Sequence, residues 1–272
     1  VAKRDIIIVD ECQDMELSWA EDIKKNSKNQ IWLGDASQQI YGEAQNDGYM
    51  DELIHEFADG NSYEFNINYR NSISVAQLAK CFITTNNHDN VTLDKKIMNF
   101  IAPILKNDRQ TSEANNQPNI FIKANNRDEE YDSMAQIIKD IRKKGEASSQ
   151  IAIVQKNHKD LDRLESELVS RDIEYFRINR RKEPLPNFSD RHLTLLTPIH
   201  SLKGLEVDYI IFPRTDAIYF HPENSNELNR NLMFVLFSRA KKRIYCSYVN
   251  EAKSYIVSSV NDRDNDFFQF MW

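Results

Sequence analysis

Short runs of β-branched and other apolar residues recur along the whole chain, and this rhythm constrains the fold more than any other feature. Helical periodicity separates most of the runs, which is typical of a parallel sheet covered by helices on both faces. The runs are too apolar to alternate cleanly, as expected for strands buried on both sides. We predict an α/β fold with strands at residues 6–9, 31–33, 120–122, 151–154, 193–196, 209–212 and 244–248, and helices at residues 72–82, 132–144, 159–170 and 229–240.

Two polar stretches interrupt this rhythm. Residues 86–118 are rich in Asn, Asp, Gln and Thr around one apolar patch at 97–105, which predicts a long surface excursion with a short helix. Residues 179–190 contain two prolines and begin with basic residues, which predicts a loop or linker. The length of 272 residues favours two unequal domains.

Composition excludes several classes of protein. With 40% hydrophobic and 28% charged residues, and no apolar run near the roughly 18 residues that a membrane helix needs, the chain is expected to be a globular protein without a membrane span. The three cysteines are far apart and form no C-x-x-C pair, so reduced thiols are expected rather than disulfides or a zinc site. Residues 1–6 lack the order of a signal peptide, so a cytoplasmic location is the default expectation.

The net charge of −7 argues against a protein that coats duplex DNA by bulk electrostatics. A local groove of basic and stacking side chains could still hold a single strand while the rest of the surface is acidic. Net charge therefore leaves nucleic acid open as a partner.

The first predicted strand runs directly into two adjacent carboxylates, Asp10 and Glu11. The C-terminal end of a strand is the edge at which α/β proteins bind ligands. Asp10 could hold Mg²⁺ through water, and Glu11 could accept a proton from an attacking water. In isolation such a pair is more often a helix N-cap in a solvated turn, so the pair alone does not decide between the two.

Two further segments combine polar side chains with turns. Gln38 follows a strand and a Gly-Asp turn, where a neutral amide could bond a phosphate oxygen or a lytic water. Tyr69 and Arg70 place a stacking face beside a cation, which suits a base and a phosphate. Each segment has an ordinary alternative, namely a Gly-Asp loop and a surface pair ahead of a helix capped by Ser72.

A fourth segment lies between two apolar runs late in the chain. His200, Ser201 and Lys203 could contact nucleic acid. Gly204 predicts a turn, and Glu206 could accept a hydrogen bond from a ribose hydroxyl. A solvated loop is the common alternative.

The fifth segment ends in Arg239, the first charge after a long apolar run. The run predicts that this arginine is partly buried, and a buried arginine needs an anionic partner. That partner is either a phosphate or the carboxylate of a structural salt bridge.

The order and spacing of these five segments resemble motifs II to VI of UvrD/Rep-type superfamily 1 helicases. The family's D-E-x-Q-D pattern is met at residues 10–14, G-D-x-x-Q-x-I-Y at 34–41, H-x-x-K-G-L-E at 200–206 and V-A-L-T-R-A-K at 235–241. Its N-Y-R-S pattern is met at residues 68–72, with Asn71 inserted before Ser72. Residues 151–175 also resemble the segment ahead of the insertion in the family's second motor domain, so the resemblance spans nearly the whole chain.

The resemblance implies RecA-like motor domains, with residues 1–62 as the second half of the first domain and residues 63–272 as the second domain. ATP and Mg²⁺ are the implied cofactors, bound between the two domains. The implied catalytic roles are Mg²⁺ coordination by Asp10, water activation by Glu11, coupling of the γ-phosphate state to the strand by Gln38, and arginine fingers at Arg70 and Arg239.

The resemblance also implies binding residues. Tyr69 would stack on adenine, Glu206 would contact the ribose, and Gly204 would lie with them at the nucleotide. Tyr41, His200, Ser201 and Lys203 would lie near the nucleic-acid strand.

The sequence departs from the family in several places. No G-x-x-x-x-G-K-[ST] loop occurs, so the backbone N–H groups and lysine that cradle phosphates are missing, and the chain as it stands is not expected to hydrolyse ATP efficiently. We interpret it as a fragment that begins after the first half of motor domain one, a split partner or a degenerate protein being rarer. The accessory insertion of the second motor domain is also missing, Glu43 stands where relatives often carry a base-stacking Trp, and Pro198 stands where Thr is common.

The resemblance implies a parent protein that is an ATP-dependent DNA helicase or translocase, moving 3′ to 5′ on single-stranded DNA. Its expected partners are single-stranded DNA and the missing N-terminal half of the motor, with a nuclease or RNA polymerase as further candidates. Two alternatives remain open. One is a catalytically silent helicase-like module that binds nucleic acid or a protein, and the other is a motor of antiviral defence or DNA repair that differs only in its partners.

Overall fold

The structure, a computed structural model, describes residues 3–35, 38, 49–57, 61–63, 70–82, 117–143, 150–156, 158–178, 194–218, 226–251, 254–260 and 265–271. The predicted helix at 97–105, the predicted linker at 179–190, and Tyr41, Glu43 and Tyr69 lie outside these residues. Within the described ranges, no helix is long and apolar enough to cross a lipid bilayer.

A small lobe, described over residues 3–57, contains a two-stranded parallel sheet. Strand β1 (Arg4–Val9) continues through helix α1 (Leu17–Asn26) into strand β2 (Ser27–Trp32), and helix α2 (Tyr49–Phe57) follows. Strand β2 therefore begins four residues before the predicted start at residue 31. The order β-α-β explains the parallel pairing, because parallel neighbours need a crossover between them.

The two faces of this small sheet differ. One face packs against the helices, where Val9, Ala20, Leu53 and Phe57 are buried together. The side chains of the opposite face are exposed because no described element covers them. They are Ile6 (58% exposed), Ile8 (63%), Ile31 (46%) and Leu33 (41%).

A large lobe, described over residues 70–271, contains a second sheet in which all described pairings are parallel. Its described strands are β3 (Asn119–Lys123), β4 (Ile151–Gln155), β5 (Phe176–Arg177), β6 (Thr194–Pro198), β7 (Val207–Phe212), β8 (Ala240–Tyr248) and β9 (Phe268–Met271). Their spatial order is β5-β6-β4-β7-β8-β3-β9.

Helices cover both faces of the large sheet. They are α3 (Ile73–Lys80), α4 (Arg127–Lys143), α5 (His158–Ser170), α6 (Asn226–Ser238) and α7 (Tyr255–Val260). Alternate residues of β4 point to opposite sides, so Ile151 and Ile153 pack with α4 and α5, whereas Ala152 and Val154 pack with α3, α6 and α7. Burial on both sides explains why residues 151–154 are all apolar, and Gln155, which ends the strand, donates to the Pro213 carbonyl. The predicted α/β fold is confirmed.

Helix boundaries differ from the predictions where capping decides them. Helix α4 begins at residue 127, five residues before the predicted start. The Asn126 side chain accepts from the Glu129 backbone N–H at 3.0 Å, and three acidic residues occupy the first turn. Helix α6 ends at Ser238, so Arg239 lies between this helix and β8 rather than inside the predicted helix.

A buried ionic network lies at the C-terminal edge of the large sheet. Arg127 donates two hydrogen bonds to Asp216, at 2.9 and 2.7 Å, and one to Glu130 at 2.6 Å. Glu130 is fully buried and also accepts from the Arg214 backbone N–H and the Ser247 hydroxyl. The single guanidinium of Arg127 therefore balances two carboxylates that are shielded from water.

Candidate nucleotide-binding cleft

The acidic pair lies where β1 ends, in a turn of unusual backbone geometry. Glu11 has φ 54° and ψ 40°, the left-handed region, and this bends the chain into a single 3-10 turn at Cys12–Asp14. The Glu11 N–H donates to Asp10 Oδ1 at 2.9 Å, and the Cys12 N–H donates to the Leu33 carbonyl at 2.9 Å. The side chain of Glu11 does not cap the turn. Both carboxylates therefore lie at the C-terminal edge of the small sheet.

A chain of side-chain amides leads away from Glu11. The buried Gln13 donates to Glu11 Oε2, and its own Oε1 accepts from the Asp35 backbone N–H at 3.1 Å. The Gln38 amide donates to Asp35 Oδ2 at 2.8 Å. The sequence drew attention to Gln38 but not to Gln13, although Gln13 belongs to the same acidic motif.

The chain of amides ends at Arg239 of the large lobe. This arginine is only 3% exposed, and its guanidinium donates to Gln38 Oε1. Burial lowers the pKa of Arg239 from its ordinary value, and the neighbouring Arg70 adds to this effect while acidic groups that include Glu11 and Glu206 oppose it. Its Nε is buried, and this N–H has no acceptor among the described residues.

Arg70 and Glu206 meet at the same cleft. Arg70 Nε lies 2.6 Å from Glu206 Oε1, and Lys241 Nζ lies 3.3 Å from Glu206 Oε2. Burial raises the pKa of Glu206, but the charges of Arg70 and Lys241 outweigh it, and the net pKa is lowered. The carboxylate is thus ionised and held by two cations, and the contact with Lys241 was not predicted from the sequence.

Asn71 and Ser72 clamp the backbone on both sides of Arg239. The Asn71 amide donates to the Ser238 carbonyl at 2.9 Å and to the Ala240 carbonyl at 2.5 Å. Ser72 donates through its N–H to Lys241 and through its hydroxyl to Lys242, in both cases to the carbonyl. The Ser72 hydroxyl also accepts from the Val75 N–H, so the predicted cap of α3 is confirmed.

Lys203 reaches across the cleft from the large lobe to the acidic motif. It follows a 3-10 turn at Ile199–Leu202, and Gly204 after it has φ 80°, so the turn predicted at Gly204 is confirmed. Lys203 Nζ pairs with Asp14 Oδ2, lies 3.3 Å from Glu11 Oε2, and donates to the Gln38 carbonyl at 3.3 Å.

The electrostatics of Glu11 follow from these contacts. Burial raises the pKa of Glu11, but the hydrogen bond from Gln13 and the charge of Lys203 outweigh it, so the net pKa is lowered. Glu11 is therefore ionised at neutral pH and able to accept a proton.

The residues predicted to lie near nucleic acid are only partly described. His200 and Ser201 lie in the Ile199–Leu202 turn, and the Ser201 hydroxyl oxygen is buried without a hydrogen-bond partner among the described residues. Lys203 contacts carboxylates of the small lobe, and its predicted contact with nucleic acid stays a prediction. Tyr41 and Tyr69 lie outside the described residues.

The residues present fit Mg²⁺ bound together with phosphate. Asp10 is exposed at the edge of the small sheet and offers carboxylate oxygen, the ligand type that Mg²⁺ prefers. The described residues contain no group of three or more His, Cys, Asp or Glu side chains that could hold a metal ion by themselves. Mg²⁺ would therefore take most of its ligands from phosphate and water, as is usual for this ion.

Comparisons with known proteins agree with this geometry. Residues 63–183 match the model of the UvrD-like helicase C-terminal domain family. A search of curated protein sequences gave no match.

Solved structures give a likeness of fold. The chain resembles the C-terminal domain of a possible DNA helicase from Lactobacillus plantarum WCFS1, with 17% identity and a TM-score of 0.50 over 75% of this chain and 98% of that one. The Hef helicase domain from Pyrococcus furiosus matches with 13% identity and a TM-score of 0.37, over 95% of this chain and 74% of that one. Only the first likeness is close enough to show a shared fold. Residues 63–183 therefore resemble a UvrD-like helicase C-terminal domain, and the parallel α/β fold is shared with the helicase domain from Lactobacillus plantarum.

Proposed function

We propose that this chain is the C-terminal portion of an ATP-dependent DNA helicase or translocase, and that ATP is hydrolysed in the cleft between its two lobes. Residues 1–62 would be the second half of the first motor domain, and residues 63–272 the second motor domain. The observation that carries the proposal is the chain of contacts from Glu11 through Gln13, Asp35 and Gln38 to Arg239. It connects a carboxylate suited to activate water with a buried cation suited to bind phosphate.

Each residue of the cleft has a chemical role in this proposal. Asp10 would hold Mg²⁺, which when bound supplies positive charge that offsets the charge on the phosphates. Glu11 Oε1 would accept a proton from the attacking water, because Oε2 is already engaged by Gln13. Arg70 and Arg239 would stabilise the charge on the transferred phosphoryl group, a contribution of about 10³–10⁵ in rate for arginines of this kind.

The phosphate-binding loop would come from a further segment that covers the small sheet. Parallel strands are almost always covered on both faces, yet Ile6, Ile8 and Ile31 are exposed. A two-stranded sheet is also small for independent stability. An added α/β segment would bury this face and bring phosphate-binding N–H groups to the edge where Asp10 and Glu11 lie. We propose that this segment is the first half of the motor domain.

Single-stranded DNA is the proposed track, with movement from 3′ to 5′. The contact of His200 and Ser201, in the Ile199–Leu202 turn, with this track is proposed on the resemblance of the motifs. The direction of movement and the preference for DNA follow from the resemblance of the motifs.

The test is turnover of ATP, stimulated by single-stranded DNA, in a protein that combines this chain with the first half of the motor domain. Glu11→Gln should reduce kcat by about 10²–10⁴, the contribution typical of a general base. Glu21→Gln, an exposed carboxylate of α1, is the matched control and should leave kcat unchanged. Turnover that does not respond to Glu11→Gln contradicts the proposal. Absence of turnover would instead favour a catalytically silent module that binds nucleic acid or a protein.

A further inference from the structure

The ammonium group of Lys203 is held entirely within the cleft. The side chain is 11% exposed, and its acceptors are Asp14 Oδ2, Glu11 Oε2 and the Gln38 carbonyl. A lysine ammonium has three N–H donors, and three acceptors match that number. All three acceptors belong to the small lobe, whereas Lys203 belongs to the large lobe.

The contact with Glu11 is specific to one oxygen. Gln13 Nε2 and Lys203 Nζ both approach Oε2. Oε1 receives neither donor, so these two contacts turn Oε1 away from them and fix the plane of the carboxylate. Proton transfer in a catalytic site depends on such orientation, and a misplacement of about 1 Å can cost about a hundredfold in rate.

Lys203 belongs to the segment that is proposed to contact single-stranded DNA. His200 and Ser201 lie in the turn that ends one residue before Lys203. Gly204 follows with φ 80°, a backbone conformation that residues other than glycine rarely adopt. The direction of the lysine side chain is therefore set by a turn on one side and by a glycine on the other.

We propose that Lys203 is a positioning residue for Glu11, which ties the orientation of the catalytic carboxylate to the turn that carries His200 and Ser201. The inference rests on the proposed function for the role of Glu11. Contact between single-stranded DNA and the turn then shifts Lys203 or restricts its motion. This change reaches the Glu11 carboxylate through its contact with Lys203. Stimulation of ATP turnover by single-stranded DNA passes through this lysine.

The first experiment uses the 272-residue chain without nucleotide and records the carboxyl carbon signal of Glu11 by NMR at a fixed neutral pH. Lys203→Met should move this signal, and Lys203→Arg should restore most of the wild-type position because it keeps the charge. Lys123→Met is the matched control, since Lys123 pairs with Glu251 at 3.4 Å and is not among the groups that shift the pKa of Glu11. An unmoved signal in Lys203→Met overturns the proposal.

The second experiment uses the protein that also carries the first half of the motor domain. In Lys203→Met, kcat with single-stranded DNA should fall by about tenfold to a hundredfold, with little change in KM for ATP. Stimulation by DNA should fall towards one, and Lys203→Arg should recover part of both effects. If single-stranded DNA stimulates ATP turnover by Lys203→Met as much as by the wild type, Lys203 does not connect Glu11 to the turn, and the proposal is overturned.

Failure of the proposed function and failure of the proposed role of Lys203 give different results in these experiments. If the wild-type combined protein does not hydrolyse ATP, the proposed function fails, while the NMR signal of Glu11 still decides whether Lys203 positions this carboxylate. If Lys203→Met does not fold because Asp14 loses its cation, the same measurements are made with Lys203→Met combined with Asp14→Asn.

Discussion

Asn71 is expected to stabilise the large lobe through the two carbonyls that flank Arg239. Asn71→Ala removes both hydrogen bonds, to Ser238 at 2.9 Å and to Ala240 at 2.5 Å. A net contribution of about 0.5–1.5 kcal/mol for each bond gives a loss of about 1–3 kcal/mol in the free energy of unfolding. For a domain of this size, each kcal/mol lowers Tm by about 2–4 °C. Asn71→Asp should cost more, because a carboxylate would then face two carbonyl oxygens.

The assay is urea unfolding of the 272-residue chain, followed by circular dichroism, with Tm measured in parallel. Asn125→Ala is the matched control, since its amide donates to Glu129 at 2.8 Å in an exposed position of the same lobe. The control should change stability by less than about 0.5 kcal/mol. If Asn71→Ala loses no more stability than Asn125→Ala, the two bonds do not hold the Arg239 backbone and the reasoning is wrong.

Two further predictions concern stability and thiol reactivity. Arg127→Met leaves Glu130 and Asp216 without their cation and should cost near the lower end of about 3–5 kcal/mol at neutral pH, because the arginine is about one-third exposed. Burial raises the pKa of Asp216, but the hydrogen bonds from Arg127 and the Asn250 N–H outweigh it, so the net pKa is lowered. The stabilisation from the Arg127–Asp216 pair is therefore fully present above the pKa that Asp216 has in the unfolded chain. It is lost as the pH falls through the lower pKa of Asp216 in the folded chain. Urea unfolding should therefore show a smaller difference between wild type and variant near pH 3 than near pH 7, and an equal difference would contradict the assignment. Burial raises the pKa of Cys12 to about 11, Cys246 is shifted in the same direction, and Cys81 is buried, so Ellman's reagent at about pH 8 should find no fast thiol in the folded chain and three after denaturation.

The strands of the fold could be predicted because strands that are buried on both faces consist almost entirely of apolar residues. A strand such as β4, covered on both faces, is apolar up to its last residue, Gln155, and its apolar run is visible without any knowledge of its neighbours. Strands β5 and β9 were missed because they are short, with two and four residues, and only partly buried. The start of α4 was missed because a capping side chain, Asn126, rather than apolar periodicity decides it.

The candidate site was predictable to the extent that its residues lie in local motifs. Glu11, Gln38 and Arg239 lie in three separate motifs, and the structure brings them into one network. Asn71 could not be assigned a partner from sequence, because its two acceptors are backbone carbonyls 167 and 169 residues away. The same holds for Lys203, whose contact with Asp14 joins positions 189 residues apart.

The left-handed backbone at Glu11 means that the most important carboxylate of the cleft stands at a position where the fold alone would favour another residue. A side chain other than glycine costs about 1–2 kcal/mol in this conformation. Glycine or asparagine would fit position 11 with less strain, yet neither can take a proton from water. Under the proposed function, selection for stability and selection for turnover therefore favour different residues at position 11. Under the proposed function, a descendant of this chain that did not hydrolyse ATP would be free to carry glycine or asparagine at position 11, and the residue found there would indicate whether turnover is retained.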